Sequence, residues 1–202
     1  MVNSAHDPPT VTSATRFRLL IVVTSAGGIS ALIEVLGGLP SELSVPVVVV
    51  QHLHPGHDSE IDELLGRQST LAVKFAEPGE QTKPGTVYIA PPNQALFIGP
   101  DGTFTRNEEE HTLHPAADPL FESAAEAFGD SVVACVLTGT GDDGAVGVRA
   151  IKAHGGTVIV QDPEFAEFRN MPDAALEAAA VDFILPLAEI ATVASRLVAG
   201  RS

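Results

Sequence analysis

Tryptophan is absent, tyrosine occurs once, and aromatic residues make up only 5% of the 202 residues. The core must therefore be assembled from Val, Ile, Leu and Ala, the composition of sheets buried on both faces. A single cysteine, Cys135, excludes a disulfide within the chain. It lies in the apolar run 132–137, where a buried, inert thiol is expected. Basic residues are scarce as well: 11 Lys and Arg stand against 26 Asp and Glu, a formal net charge of -15. Such a field repels a phosphate backbone, so nucleic acid is a poor partner. Anionic membrane surfaces are disfavoured for the same reason. No uninterrupted apolar run approaches the ~20 residues of a spanning helix. The N-terminus also lacks the basic-then-apolar layout of a signal peptide. A soluble, cytoplasmic protein without direct membrane insertion is expected.

What is present is regular. With 45% hydrophobic residues and a mean hydropathy of +0.20, the chain can bury one full core, which sets one domain as the default. Residues 1–16 are polar, contain proline and carry no periodicity, so a flexible leader is expected there and one domain over 17–202. Within that domain, apolar runs at 19–24, 45–51, 71–76, 132–137 and 157–160 read as strands. Stretches with apolar spacing of i, i+3, i+4 and i+7 separate them. Ile29, Leu32, Ile33 and Leu36 form one such stripe, and Ile61, Leu64 and Leu65 mark another. Helices are also expected over 116–128 and 145–154. Leu187, Ile190, Ala191, Ala194, Leu197 and Val198 mark the last. Short strands at 87–90, 94–98 and 103–106, with a turn at Pro100-Asp101-Gly102, predict a small antiparallel ribbon. The sum is an α/β fold, a doubly wound and mostly parallel sheet with helices on both faces.

In such a sheet the loops at the carboxyl ends of the strands share a crevice. Three of these ends carry unusual chemistry: Thr24-Ser25-Ala26-Gly27-Gly28, Gln51-His52-Leu53-His54, and Thr138-Gly139-Thr140-Gly141-Asp142-Asp143-Gly144. A serine at a strand-to-helix turn sits beside outward-pointing N–H groups, which suit a phosphate or a developing oxyanion. It could equally do no more than cap its helix. A dinucleotide site is disfavoured, because G-x-G-x-x-G is missing and Gln51-His52 stands where a ribose-binding acid belongs. No lysine follows the glycines, which disfavours a P-loop. His52, His54 and His57 could suggest a metal, but any further ligand would have to come from elsewhere, such as Asp142 or Asp143. His52, directly ending a strand, is the best general-base candidate, the alternative being a satisfied core histidine. Of Asp142 and Asp143, one is expected to cap the helix beginning near Gly144. The other is then free to orient an imidazole. Ser25 as nucleophile, His52 as base and Asp143 as orienting acid is the simplest assembly. Its order along the chain, and the missing G-x-S-x-G elbow, set it apart from α/β-hydrolases.

At these residues the chain resembles the catalytic domain of the chemotaxis protein-glutamate methylesterases, the CheB family. The matching segments are TSAGG (24–28), QHLH (51–54), PGTVYIAPP (84–92), HPAADPLF (114–121), LTGTGDDGAVG (137–147), GGTVIVQDP (155–163) and MPDAA (171–175). The resemblance implies a Ser25-His52-Asp143 triad without cofactor or metal. It implies an oxyanion site at the Ala26-Gly27 and Thr140-Gly141 backbone. It implies hydrolysis of γ-glutamyl methyl esters on chemoreceptor helices to glutamate and methanol, with glutamine deamidation as a second activity. Ala26 replaces a frequent threonine and Thr140 a frequent methionine, changes that leave backbone donors intact. Val23-Thr24 replaces a usual Gly-Ala, and His114 a usual arginine. Sixteen leader residues do not supply the receiver domain that usually precedes this one, so either a stand-alone domain answering to a regulator in trans or a piece of a longer protein is expected. The rival reading is a non-catalytic or differently targeted signalling domain that binds a receptor or regulator.

Overall fold

The computed structural model describes residues 18–52, 60–92, 94–106 and 117–200. The expected leader, together with His54, His57 and His114, lies outside them. In chain order the elements are β1 (Leu19–Thr24), α1 (Gly28–Gly37), β2 (Val47–Gln51), α2 (Ile61–Gln68), β3 (Ala72–Phe75), β4 (Thr86–Ile89), β5 (Phe97–Ile98), β6 (Phe104–Thr105) and α3 (Ala117–Phe128). They continue with β7 (Val132–Val136), α4 (Ala145–Ala153), β8 (Thr157–Gln161), α5 (Asn170–Ala178), β9 (Phe183–Leu185) and α6 (Leu187–Val198).

Seven strands form one sheet in the order β3-β4-β2-β1-β7-β8-β9, and every pairing in it is parallel. The β1 and β7 strands are buried along their whole length, as unbroken Val/Ile/Leu runs require when helices cover both faces. Alternate residues divide between the faces. Leu20, Val22, Val47, Val49, Val133 and Cys135 pack with α1 and α6. Leu19, Ile21, Val23, Val48, Ala134 and Val136 pack with α3, α4 and α5. Cys135 is fully buried, and that desolvation pushes its thiol up to about 12. The β5-β6 pair forms the antiparallel ribbon, with Phe97 opposite Thr105 and Ile98 opposite Phe104. The strand at 86–89, by contrast, belongs to the main sheet.

Two expectations need correcting, and one pair of elements lies beyond them. The α1 stripe is rotated: Ala31, Leu32, Val35 and Leu36 are its buried apolar side chains, whereas Ile29 is 41% exposed. Leu64 likewise faces outward, leaving Ile61 and Leu65 to anchor α2. The pair α5 and β9 was not anticipated. The β9 strand is three residues long and alternates half-buried with exposed, too short to carry a period.

Strand β1 neighbours β2 on one side and β7 on the other, so the winding reverses between β1 and β7. That is the topological switch point, where such sheets open a crevice at their carboxyl edge. The residues after β1, β2 and β7 all meet there.

Candidate active site

Ser25 follows the last residue of β1 and opens a tight turn. The Gly28 N–H donates to the Ser25 carbonyl at 2.9 Å, and Gly27 between them adopts φ 73°, ψ 0°. A bond from i+3 to i with a left-handed residue at i+2 is a type II turn, which calls for glycine at that position. The turn lifts the Ser25 side chain out of the sheet while its N–H stays anchored on the Thr138 carbonyl at 3.0 Å. No side chain caps α1, so Ser25 is not a helix cap.

His52 follows β2. Its Nδ1 lies 3.1 Å from the Ser25 Oγ, and its Nε2 lies 2.8 Å from the Asp143 Oδ2. An ionised carboxylate only accepts, so Nε2 carries the proton and Nδ1 is left to accept the Ser25 O–H. Three side chains from distant parts of the chain thus stand in one hydrogen-bonded series. It is sheltered: His52 is 25% and Asp143 20% exposed at the side chain.

Asp143 does more than face the imidazole. Its carboxylate accepts the Ala117 N–H at 2.8 and 3.0 Å and the Asp118 N–H at 3.4 Å, which closes the N-terminus of α3. Asp118 in turn accepts the Gly147 N–H of α4 at 2.7 Å. The expected cap of α4 by Asp142 or Asp143 is therefore corrected. Gly144 occupies the cap position without a side-chain bond, and an aspartate of the neighbouring helix serves the first turn. Helix N-termini attract such anions through their free N–H groups and dipole. Burial, the largest cause, pushes the Asp118 carboxyl upward, opposed by the Gly147 N–H and reinforced by the Asp143 charge.

Thr138, after β7, holds the floor of the crevice. Its hydroxyl accepts the Phe168 N–H at 2.9 Å and donates to the Ala26 carbonyl at 3.0 Å. The Thr24 hydroxyl donates to the Thr138 carbonyl at 2.7 Å, and the Gln161 side chain accepts the Thr138 N–H at 2.8 Å. Gly139 lies so close to Met171 and Ser25 that a methyl group there would overlap the Met171 sulfur. Of the expected oxyanion residues, the N–H groups of Ala26, Gly27, Thr140 and Gly141 donate to no described residue. Among the described residues no group of three or more His, Cys, Asp or Glu could hold a metal ion. Thr138, Asp118 and Gln51 went unassigned in the sequence, since their roles rest on hydrogen bonds across the sheet that no spacing encodes.

Residues 20–194 match the family model described as CheB methylesterase. A putative protein-glutamate methylesterase/protein-glutamine glutaminase of Leptospira interrogans is 40% identical over 183 residues, covering 90% of this chain and 95% of that protein. Protein-glutamate methylesterase/protein-glutamine glutaminase 1 of Carboxydothermus hydrogenoformans is 39% identical over 181 residues, covering 86% of this chain. Here the match spans 53% of the relative's own length. The crystal structure of the Thermotoga maritima CheB methylesterase catalytic domain superposes with a TM-score of 0.84 at 35% identity, covering 90% of this chain and 99% of that one.

Proposed function

The chain belongs to the CheB methylesterase family, whose members are hydrolases, and on that footing we propose that it hydrolyses protein glutamate methyl esters through Ser25. The observation that carries this reading is the unbroken series from Ser25 Oγ to His52 Nδ1 and from His52 Nε2 to Asp143. His52 Nδ1 takes the hydroxyl proton as Ser25 Oγ attacks the ester carbonyl, forming the C–O bond of a tetrahedral intermediate. The oxyanion meets backbone N–H groups of Ala26 and the Thr140-Gly141 loop, each contributing about 3 kcal/mol. The imidazolium returns its proton to the leaving methoxide, and methanol departs. Water then repeats the sequence on the glutamyl-enzyme, releasing glutamate and restoring Ser25. Asp143 holds the imidazole in the tautomer this requires.

A glutamine side chain offers the same carbonyl with ammonia as the leaving group, so deamidation fits the site as a second activity. Substrate segments on methylated chemoreceptor helices in the cytoplasm, and a regulator acting in trans, complete the proposal. No described helix is long and apolar enough to cross a membrane. A binding domain without turnover is disfavoured, because it leaves an aligned hydroxyl, imidazole and carboxylate without a task. The test is methanol release from a methylated receptor fragment by the wild-type protein and by Ser25→Ala. Release by the wild type and loss in the variant, at an unchanged heat transition, is the expected result. Equal release by both proteins would overturn the assignment.

A further inference from the structure

Gln51 is the last residue of β2, paired in register with Thr24 at the end of β1, and its side chain is 4% exposed. Its amide nitrogen donates twice, to the Ser25 carbonyl and to the His52 carbonyl, each at 3.0 Å. Its Oε1 is buried and has no hydrogen-bond partner among the described residues. That oxygen lies against Gly28, where a methyl group would overlap it. A buried, unpaired amide oxygen lowers stability. The fold retains it, together with a glycine that makes room for it, in order to deliver two N–H donors to two carbonyls. Local rules broken in this way are expected at functional sites.

The geometry at Ser25 points to the reason. Its carbonyl receives the Gly28 N–H from within the turn and the Gln51 N–H from behind, which fills both lone pairs. That carbonyl shares a planar unit with the Ala26 N–H, and in a trans peptide the two point in opposite directions. The Gly28 bond alone would let the unit rock about ψ of Ser25 and φ of Ala26, and Gly27, one residue further on, readily absorbs the compensating motion. The second bond fixes the plane. The Ala26 N–H, which donates to no described residue, is then held facing away from the buried amide.

We propose that Gln51 is a positioning residue that sets the plane of the Ser25–Ala26 peptide, so that the Ala26 N–H is aimed at the ester oxygen before the substrate arrives. This rests on the reading of Ser25 as nucleophile. Gln51 touches no reacting atom; it acts through the backbone of Ser25 and ties that backbone to His52. A donor held in advance needs no reorganisation as charge develops, and therefore acts on the transition state rather than on the bound ester.

The deciding experiment compares Gln51→Met and Gln51→Leu with the wild type, in methanol release and in binding of a trifluoromethyl ketone analogue that forms a tetrahedral adduct. Both variants fill the site with an uncharged apolar side chain and lose its donors. Turnover should fall roughly 10- to 100-fold, less than the 10²–10³ for outright loss of an oxyanion donor. Analogue affinity should fall by the same factor, while KM and the midpoint of the pH profile stay in place. Wild-type turnover and analogue affinity in the variants would overturn the proposal, as would a loss confined to KM or a displaced pH midpoint. In the unaltered protein, the Ala26 amide proton resonance should move downfield when the adduct forms, a measurement that stands even if neither variant folds. An unmoved resonance would overturn the proposal. If Ser25→Ala abolishes release while the Gln51 variants are unaffected, only the role of Gln51 falls. If Ser25→Ala leaves release intact, both fall.

Discussion

His52 presents Nε2, not Nδ1, to Asp143, at 2.8 Å. In the Ser-His-Asp template Nδ1 faces the acid and Nε2 the serine, so here the ring is engaged in the opposite sense. The chemistry survives the reversal, because either nitrogen of a neutral imidazole can accept while the other donates. What changes is the backbone that must position each partner. The acid comes from the loop just before α4 and simultaneously closes α3.

Asp143→Asn should therefore uncouple catalysis from stability. The amide oxygen can go on accepting the Ala117 N–H, while its NH2 group faces His52 and favours the tautomer with the proton on Nδ1. That tautomer cannot accept the Ser25 hydroxyl proton. Turnover should drop on the order of 10⁴, as it does when other triads are given the wrong tautomer, while the heat transition moves only slightly. Methanol release and calorimetry on the same preparation check both halves.

Thr138→Val keeps the shape of the side chain and removes its hydroxyl. The Phe168 N–H and the Ala26 carbonyl then lose their partner. An unsatisfied group there costs about 1–3 kcal/mol, so the urea midpoint should fall. Because the Ala26 carbonyl belongs to the turn carrying Ser25, fluorophosphonate labelling of Ser25 should also slow. A variant with unchanged midpoint and labelling would contradict the role given to this hydroxyl.

Gly139→Ala places a methyl group into the Met171 sulfur and 3.0 Å from the Ser25 Cβ. Overpacking of this kind typically costs 1–3 kcal/mol, and the displacement is transmitted directly to Ser25. We expect lower stability together with a loss of turnover. Met171→Ala in the same chain should recover part of both, which measurement of the double variant tests.

Cys135, fully buried, has its thiol pushed from an ordinary value of 9.0 up to about 12. The folded state therefore holds its proton to higher pH than the unfolded chain does. This contribution is complete below the unfolded value and disappears as pH rises toward about 12. Between these limits the protein should lose stability faster than Cys135→Ala, as read from denaturant midpoints across the alkaline range. A thiol reagent at pH 8 should leave the native protein unmodified and label it once unfolded.

The unbroken aliphatic runs of β1, β2, β7 and β8 announced a two-sided sheet, because no other arrangement buries them. The alternation with helical stretches made the sheet parallel, and the rule that crevices open at carboxyl edges placed Ser25, His52 and Asp143 at one rim. The α1 stripe was misplaced because Ile29 shares its spacing with the truly buried residues, and periodicity cannot say which of two adjacent stripes meets the sheet. The β9 strand escaped because three residues at a sheet edge are held by pairing with β8, not by their own pattern.

Residue types and their order along the chain determined the architecture and which strand ends carry ionisable groups, since these follow from which segments must be buried; the family was legible only as a likeness of whole motifs. Tertiary structure alone decided which ring nitrogen faces which partner, which helix an aspartate caps, and that Gln51 grips the backbones of both its neighbours. Those are outcomes of hydrogen-bond direction at close range, and direction is set only once distant strands have packed side by side.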